Sequence, residues 1–499
     1  MSFTPGLRRA WAILHATLFF CTIGSARAAD IDWSGLYRVE ANVMRNTRLG
    51  GGGDKEYILH HLILKPKITI ADGLTVYSRF DIFNNAMYPN SQVGQVFGDG
   101  VGSNDPNNNP YFSSNSDNSS VLSQTGASES VAVTNLYLSY THEYGNLLIG
   151  RIPLHFGLGM TYNAGDGTFD HWLTTRDMIA YKLVYGNLSV MPAFARVSQG
   201  SLAYNEHAND YIVQALYENP ETDLAMGLMY LIRQANSYAN DAPAGVSPTG
   251  IPADPNGVLG GPCSVPSGPC PSVQSDFSQQ TLNVFVIKDT EHFRFGIEGA
   301  FQSGKSGVYD NAGNNISFNG FGIATETEWR PDGSKWKFGA KIGYASGDDP
   351  TTTNRFEGYV FNRNYDVALL MFNYPLGQRD FLRSFLYGGG PLDSSQTLDS
   401  EAISNVTYLA PYTMYALSDR FTLGGVLATG ILNTVPLVGG TSNKNLGYEF
   451  DLSLNYKNKG GIIWANTLGL LAPGGAFQGD QNYLVKFAYG LQSKVAVHF

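Results

Sequence analysis

The sequence predicts an all-β chain, a transmembrane antiparallel β-barrel of about 18 strands with short periplasmic turns and long extracellular loops. Three observations carry this expectation. Apolar and polar or small side chains alternate along many short segments, as they do where a strand has two different faces. The connections between those segments alternate between long and tight. Only 15% of the 499 residues are charged, against 13% aromatic and 57 glycines, whereas a soluble domain averages about 25% charged. Asp and Glu outnumber Lys and Arg, 42 to 32, without a basic run, which argues against nucleic-acid binding. Richness in aromatics argues against disorder.

The first segment reads as an export signal, residues 1–28. Arg8 and Arg9 precede an apolar stretch from Ala10 to Ile23, and Ala26-Arg27-Ala28 supplies a small-x-small cleavage pattern. The stretch is shorter than the roughly 20 residues of a membrane span. Phe20 puts a bulky side chain before Cys21, where a lipoprotein wants a small one. Residues 29–499 then form one barrel, located in the cell outer membrane, since no later stretch of 18 apolar residues offers a spanning helix.

The strands follow in order, starting near residues 33, 56, 73, 130, 146, 176, 187, 209, 222, 277, 291, 315, 335, 402, 420, 446, 461 and 482. The C-terminal segment, Tyr483 to Phe499, alternates Tyr489, Leu491, Val495 and Val497 with Ala488, Gly490, Gln492, Lys494 and Ala496. Tyr448, Phe450, Leu452 and Leu454 alternate with Glu449, Asp451, Ser453 and Asn455. Trp336, Phe338 and Ile342 alternate with Lys337, Gly339 and Lys341, and similar patterns run from Phe293 and from Leu74. Tight connections carry turn residues: Ala71-Asp72-Gly73, Tyr144-Gly145-Asn146, Gly186-Asn187, Asn219-Pro220-Glu221, Asp289-Thr290, Pro331-Asp332-Gly333, Ser418-Asp419 and Lys459-Gly460. The long ones span roughly 86–129, 158–175, 236–276 and 347–401. With both termini in the periplasm the strand number is even.

Two long loops have distinctive content. Cys263 and Cys270 lie close together in a Pro/Gly/Ser-rich segment, and an oxidising compartment predicts a disulfide between them. Loop 347–401 carries the apolar run Val367-Ala368-Leu369-Leu370-Met371-Phe372 and the basic residues Arg355, Arg363, Arg379 and Arg383. That content suits a segment folded into the lumen as a constriction; an extra pair of short extracellular strands is the alternative.

Gly343-Tyr344-Ala345-Ser346-Gly347-Asp348-Asp349-Pro350 resembles a signature of the alginate-export family of outer-membrane barrels. Gly150-Arg151-Ile152-Pro153 with Gly157-Leu158-Gly159 is similar to porin-type sequences, and the terminal Phe499 resembles the signal read by the barrel-assembly machinery. The resemblance implies an 18-stranded barrel, passive transport and a charged constriction. Such an exporter would have a strongly basic lumen, and this chain departs from that. Its alternation places Lys65, Lys67, Arg79, Arg151, Lys182, Arg294, Lys337, Lys341, Lys486 and Lys494 inward, but also Asp81, Glu298, Glu326, Glu328, Glu449 and Asp451. A mixed lining with a mild cationic excess suits polar solutes, anions and saccharides among them.

Other motifs dissolve under scrutiny. Gly299 to Ser306 spells a phosphate-loop pattern, yet it begins inside an alternating strand and no helical period follows. Asp166, Asp170, His171 and Asp177 cluster near His155, where a rim hydrolase or a divalent-cation site is the sharper reading and a solvated loop the plainer one. Asp348-Asp349 similarly reads as calcium ligands or as a strand-end cap. His60 and His61 are adjacent on a strand and point to opposite faces. No Gly-x-Ser-x-Gly elbow or His-Glu-x-x-His occurs, so no enzyme, cofactor or metal is expected. The expected function is a passive outer-membrane channel bounded by lipid and lipopolysaccharide. The alternative is an adhesion barrel acting through its long loops.

Overall fold

A computed structural model describes residues 30–82, 95–96, 131–199, 207–236, 273–309, 315–349, 351–352, 354–374, 376–377, 402–435, 443–478 and 484–499. The expected export signal, the Cys263–Cys270 pair, Arg379, Arg383 and nearly all of loops 86–129 and 236–276 lie outside these residues.

The wall is a closed antiparallel barrel of 18 strands. In chain order they are β1 (Gly35–Arg45), β2 (Lys55–Leu64, continued by Lys67–Ala71), β3 (Leu74–Ile82), β4 (Val131–His142), β5 (Gly145–Pro153) and β6 (Thr175–Tyr185). Next come β7 (Leu188–Gln199), β8 (His207–Asn219), β9 (Leu224–Asn236), β10 (Val273–Asp289), β11 (Phe293–Tyr309) and β12 (Phe321–Trp329). The last six are β13 (Trp336–Ala345), β14 (Val406–Ala416), β15 (Phe421–Leu432), β16 (Asn445–Lys457), β17 (Ile462–Pro473) and β18 (Ala488–His498). Each strand pairs with its sequence neighbours, and β1 pairs with β18 from Leu36↔His498 to Arg45↔Tyr489, which closes the ring. Closure removes every sheet edge and so satisfies the wall's backbone without water.

The tight turns fall where the turn residues predicted. Gly73 shows why residue type matters there: its φ is +75°, and a Cβ would come within 2.3 Å of Thr141 O. At the closing seam, Phe499 donates its N–H to Gly35 O and accepts from Gly35 N, while its side chain stays exposed.

Two strand starts differ from the sequence reading. β18 begins at Ala488 rather than near 482, because the preceding backbone serves another partner. Asn46 Nδ2 donates to the carbonyls of Lys486 and Phe487, and Lys486 N donates to Leu49 O. The twelfth wall strand begins at Phe321; Asn315–Phe318 instead pairs with the end of β11 and with Arg355–Phe356. The segment 299–306 lies wholly within β11, so no helix N-terminus faces it.

An apolar outer face runs around the wall, with Leu136, Ile179, Val213, Leu228, Val284, Phe338, Leu409 and Leu452 all exposed. On the isolated chain this is far more exposed apolar surface than a soluble protein tolerates, and it fits hydrocarbon. Among the described residues no helix is long and apolar enough to cross a membrane. Leu452 lies at the middle of β16 on this face. Leu452→Arg is expected to destabilise the barrel by about 2–4 kcal/mol, read by denaturant unfolding in lipid vesicles; a change under about 0.5 kcal/mol would place Leu452 away from the hydrocarbon.

Candidate functional site: an internally narrowed lumen

Two loop segments lie inside the barrel, and wall carboxylates hold both. The first, 154–174, joins β5 to β6. Leu154, Phe156 and Tyr162 pack on the inner face of β8–β10 against Ile212, Met229, Leu231 and Phe285, with the Phe156 and Phe285 rings edge-on at 4.9 Å. Glu298 on β11 then receives three backbone amides. Its Oε2 accepts from Leu158 N at 2.7 Å and Met160 N at 3.1 Å, and its Oε1 from Thr161 N at 3.1 Å. Gly157 permits this approach: its φ is +58°, and a Cβ would sit 2.7 Å from Glu298 Oε2.

The second segment, 354–374, follows β13. Tyr359, Phe361, Tyr365 and Val367 to Met371 are buried in one cluster. Leu370 N and Met371 N donate to the two oxygens of Glu449 at 2.6 Å each, and Leu369 N donates to Asp451 Oδ2 at 2.8 Å. Gly490 on β18 leaves the room, since a Cβ there would fall 3.0 Å from a Leu370 methyl. The segments are joined to each other. Asn364 accepts from His171 N and Trp172 N and donates to Trp172 O, and Thr161 Oγ1 and Tyr359 OH are 2.8 Å apart.

These attachments change the role of several residues expected to line a pore. Glu298, Glu449, Arg79 and Asp81 do face inward, but none is more than 1% exposed, because the loop segments cover them. Arg79 pairs with Asp81 at 3.0 Å and donates to Gly165 O; His61, also inward, lies 2.7 Å from Asp81. Lys65 is taken by Asp166 at 2.6 Å. Lys67, opposite Tyr77, and Lys182, opposite Asn146, stay on the inward face.

Three expectations are corrected outright. Arg151 is paired across the strands with Leu136 and Asp177, on the outer face, and binds Asp177 at 2.7 Å. Lys486 lies outside any strand, at the rim. Arg355 points outward beside Glu357 at 2.8 Å rather than into a constriction. The acidic and histidine residues of 155–177 are held by separate partners: His171 pairs with Glu40 at 3.0 Å, Asp177 with Arg151, and Asp170 accepts from Gly167 N. Asp348 caps Glu357 N and Asp349 caps Thr351 N. Among the described residues no group of three His, Cys, Asp or Glu side chains could hold a metal ion.

Further round the wall, the structure brings several of the charges expected inward into a lattice. Arg294 lies 3.9 Å from Glu326, Glu326 3.4 Å from Lys341, and Glu328 3.7 Å from Lys337. Arg330, beyond β12, adds a 2.6 Å hydrogen bond to Glu328. Lys341 Nζ also donates to Asp366 O, tying the second segment to this lattice. The sequence reading missed a second set of inward charges: Asp210 on β8, clasped by Arg176 at 2.9 Å and Arg233 at 2.7 Å.

Between the two segments and the wall of β1, β2 and β16–β18 remains a polar cavity of about 300 Å³. The Arg363 guanidinium lies 4.2 Å over the Trp172 ring, and Lys494 Nζ lies 4.8 Å over Phe169. Asn42, Asn364, Asn455 and Gln492 add hydrogen-bonding groups. Asp366 reaches into the same cavity. Enclosure by the barrel pushes its carboxyl up to about 6, against the lowering influence of Lys494, Lys341 and His171, with Asp170 adding to the rise. Aromatic faces and charged groups around one polar space can hold a small solute by stacking and by hydrogen bonds.

Removing a latch should loosen the constriction. Glu298→Ala orphans three amides at about 1–3 kcal/mol each when they remain buried. The expected result is a lower thermal unfolding midpoint, and a variant with wild-type stability would contradict the latch.

No family model matches the chain, and no curated protein matches it. The likeness to alginate-export barrels therefore stands on residues 343–350 alone. Several solved structures are similar over most of their length. They include the outer membrane protein OpdK from Pseudomonas aeruginosa, at 9% identity and TM-score 0.47, and a BenF-like porin from Pseudomonas fluorescens Pf-5, at 9% and 0.48. Pseudomonas aeruginosa OccK2 (OpdF), solved in complex with glucuronate, is similar at 11% and 0.49. In each case 94% of this chain and 98% of the other are covered. At TM-scores below 0.5 the architecture rests on this chain's own strand pairing.

Proposed function

We propose that the chain is an outer-membrane channel for passive diffusion of small polar solutes, anions and saccharides among them. One observation carries this reading. Inside a closed barrel with an apolar outer face, two latched segments narrow the lumen around a polar, aromatic-lined cavity instead of filling it. At about 18 strands the interior is too wide for wall side chains alone to seal. The cationic contribution at the narrowing comes from Arg363 and Lys494. Lys337 and Lys341, placed inward by the alternation, already neighbour Glu328 and Glu326.

Single-channel recording in a planar bilayer tests this directly. Stable conductance steps with a mild anion preference are expected in a salt gradient. Silence from protein shown to be folded would mean a sealed lumen. Arg363→Glu with Lys494→Glu should move the reversal potential toward cation preference, and more strongly than Lys337→Glu with Lys341→Glu. An unchanged potential would remove both residues from the path.

The cavity also predicts a pH dependence. Asp366 carries its negative charge above about pH 6 and loses it below, so anion preference should rise as pH falls from 7 to 5. In Asp366→Asn the rise should be smaller; an equal rise would assign it to other groups.

A further inference from the structure

The first loop segment leaves β5 at the end of the barrel with the long connections, yet its tip, residues 165–170, lies at the tight-turn end. Thr168 Oγ1 is 3.2 Å from His498 Nε2, and His498 N donates to Gly461 O beside the turn before β17. The tip is a turn with bonds of its own. Asp170 N donates to Gly167 O at 3.2 Å, and Gly167 N donates back to Asp170 Oδ2 at 2.8 Å. Gly165 makes the bend that leads into it: its φ is +71°, and a Cβ would fall 2.3 Å from Trp172 O. Behind the tip the neck is pinned. Thr174 N donates to Asn163 O at 3.1 Å, and Asn364 of the second segment holds the amides of His171 and Trp172. The turn can therefore lift as a unit while its neck stays in place.

Charge matches the tip to the wall beneath it. There the inner faces of β18, β1, β2 and β3 carry Arg38, Lys65, Arg79 and Lys494 against Glu40 and Asp81, a formal excess of two positive charges with histidines counted as neutral. The tip brings Asp166 and Asp170, and Arg363 and Asp366 of the second segment cancel each other. Glu40 is engaged by Arg38 at 3.2 Å and by His171, and Asp81 by Arg79 and His61. The donors left over point at the tip. Lys65 Nζ lies 2.6 Å from Asp166 Oδ1, which is its only ion-pair partner among the described residues. Arg79 gives one nitrogen to Gly165 O at 2.8 Å, 3.6 Å from Asp166, and Arg38 donates to Thr168 O at 3.0 Å. The Lys65 and Asp166 side chains are 39% and 54% exposed, so a solute in the lumen reaches the pair, and such a pair exchanges partners at little cost.

We propose that residues 165–170 are an autoinhibitory strap, which occupies Arg38, Lys65 and Arg79 in the manner of a carboxylate solute and is lifted when such a solute takes over those donors. The proposal rests on the reading of the chain as a channel and concerns its regulation. The strap offers two backbone carbonyls and one carboxylate, whereas a free carboxylate can meet an arginine through two parallel charge-assisted bonds. Competition is therefore possible without any change in the wall. Phe169 supplies the return: it packs against Leu36, Ile63 and Ala496 and lies under Lys494 Nζ at 4.8 Å. Lifting the strap exposes that ring to the lumen, and burying it again favours closure once the solute has left.

The test is hydrogen–deuterium exchange of the refolded full chain, with single-channel recording on the same preparation. Succinate should speed exchange of amides 165–170 about tenfold over sodium chloride of equal ionic strength, while amides 158–161, held by Glu298, keep their rates. Asp166→Asn should exchange fast at 165–170 without succinate and gain little from it. Asp166→Lys with Lys65→Glu re-forms the pair with its signs reversed, so slow exchange should return and the succinate response should not. Equal rates in succinate and chloride, or a wild-type response in Asp166→Asn, would overturn the strap; the first comparison needs no variant to fold. A chain that conducts while its tip ignores succinate would keep the channel and lose the strap. A folded chain whose tip responds to succinate but which never conducts would refute the channel and leave the strap standing.

Discussion

Wall carboxylates capping the backbone amides of infolded loops are the interaction on which the rest of this lumen depends. A loop drawn into a barrel takes its N–H groups away from bulk water, and each must find an acceptor or cost the loop its position. Glu298 supplies acceptors for Leu158, Met160 and Thr161. Glu449 and Asp451 supply them for Leu369 to Met371. Because these acids project from a hydrogen-bonded wall, they transmit the barrel's rigidity to segments that have almost no regular structure of their own. The apolar packing of Phe156 or Leu370 adds burial, but the carboxylates set the register.

That arrangement divides the inward charges into two kinds. Those covered by a loop, such as Glu298, Glu449 and the Arg79–Asp81–His61 group, hold the constriction in place. Arg363, Lys494 and Asp366 instead line the cavity. Arg363 stacked on Trp172 joins the two kinds, because Trp172 is itself fixed by Asn364 across the segments. The cavity lining and the loop position are therefore mechanically linked, and a change at Asn364 would disturb both.

The outer surface obeys a different rule. There the wall meets lipid, and exposed apolar side chains are the expected state rather than an anomaly. Departures from that uniform face are local: a dent at Gly299 and the Arg355–Glu357 pair above it. Arg151 and Asp177 show a milder version near the end of β5, a paired charge outside the barrel at the level where the apolar face ends.

Local sequence determined the barrel itself. Period-two alternation, turn glycines and aspartates, and the long/short rhythm of connections all act between near neighbours, so they are readable in order along the chain. The strand number, the eight tight turns and the facing of Glu298, Glu449, Lys337 or Lys341 follow from them. Facing was illegible where alternation lapses: in β5, Leu147, Leu148, Ile149 and Ile152 are apolar on both sides, and only the partner Leu136 decides that Arg151 points out. Tertiary structure alone decided which inward charges stay open to the lumen. Glu298 meets amides some 140 positions away and Glu449 some 79, and no periodicity encodes a contact between a wall strand and a loop that enters the barrel from a distant part of the chain.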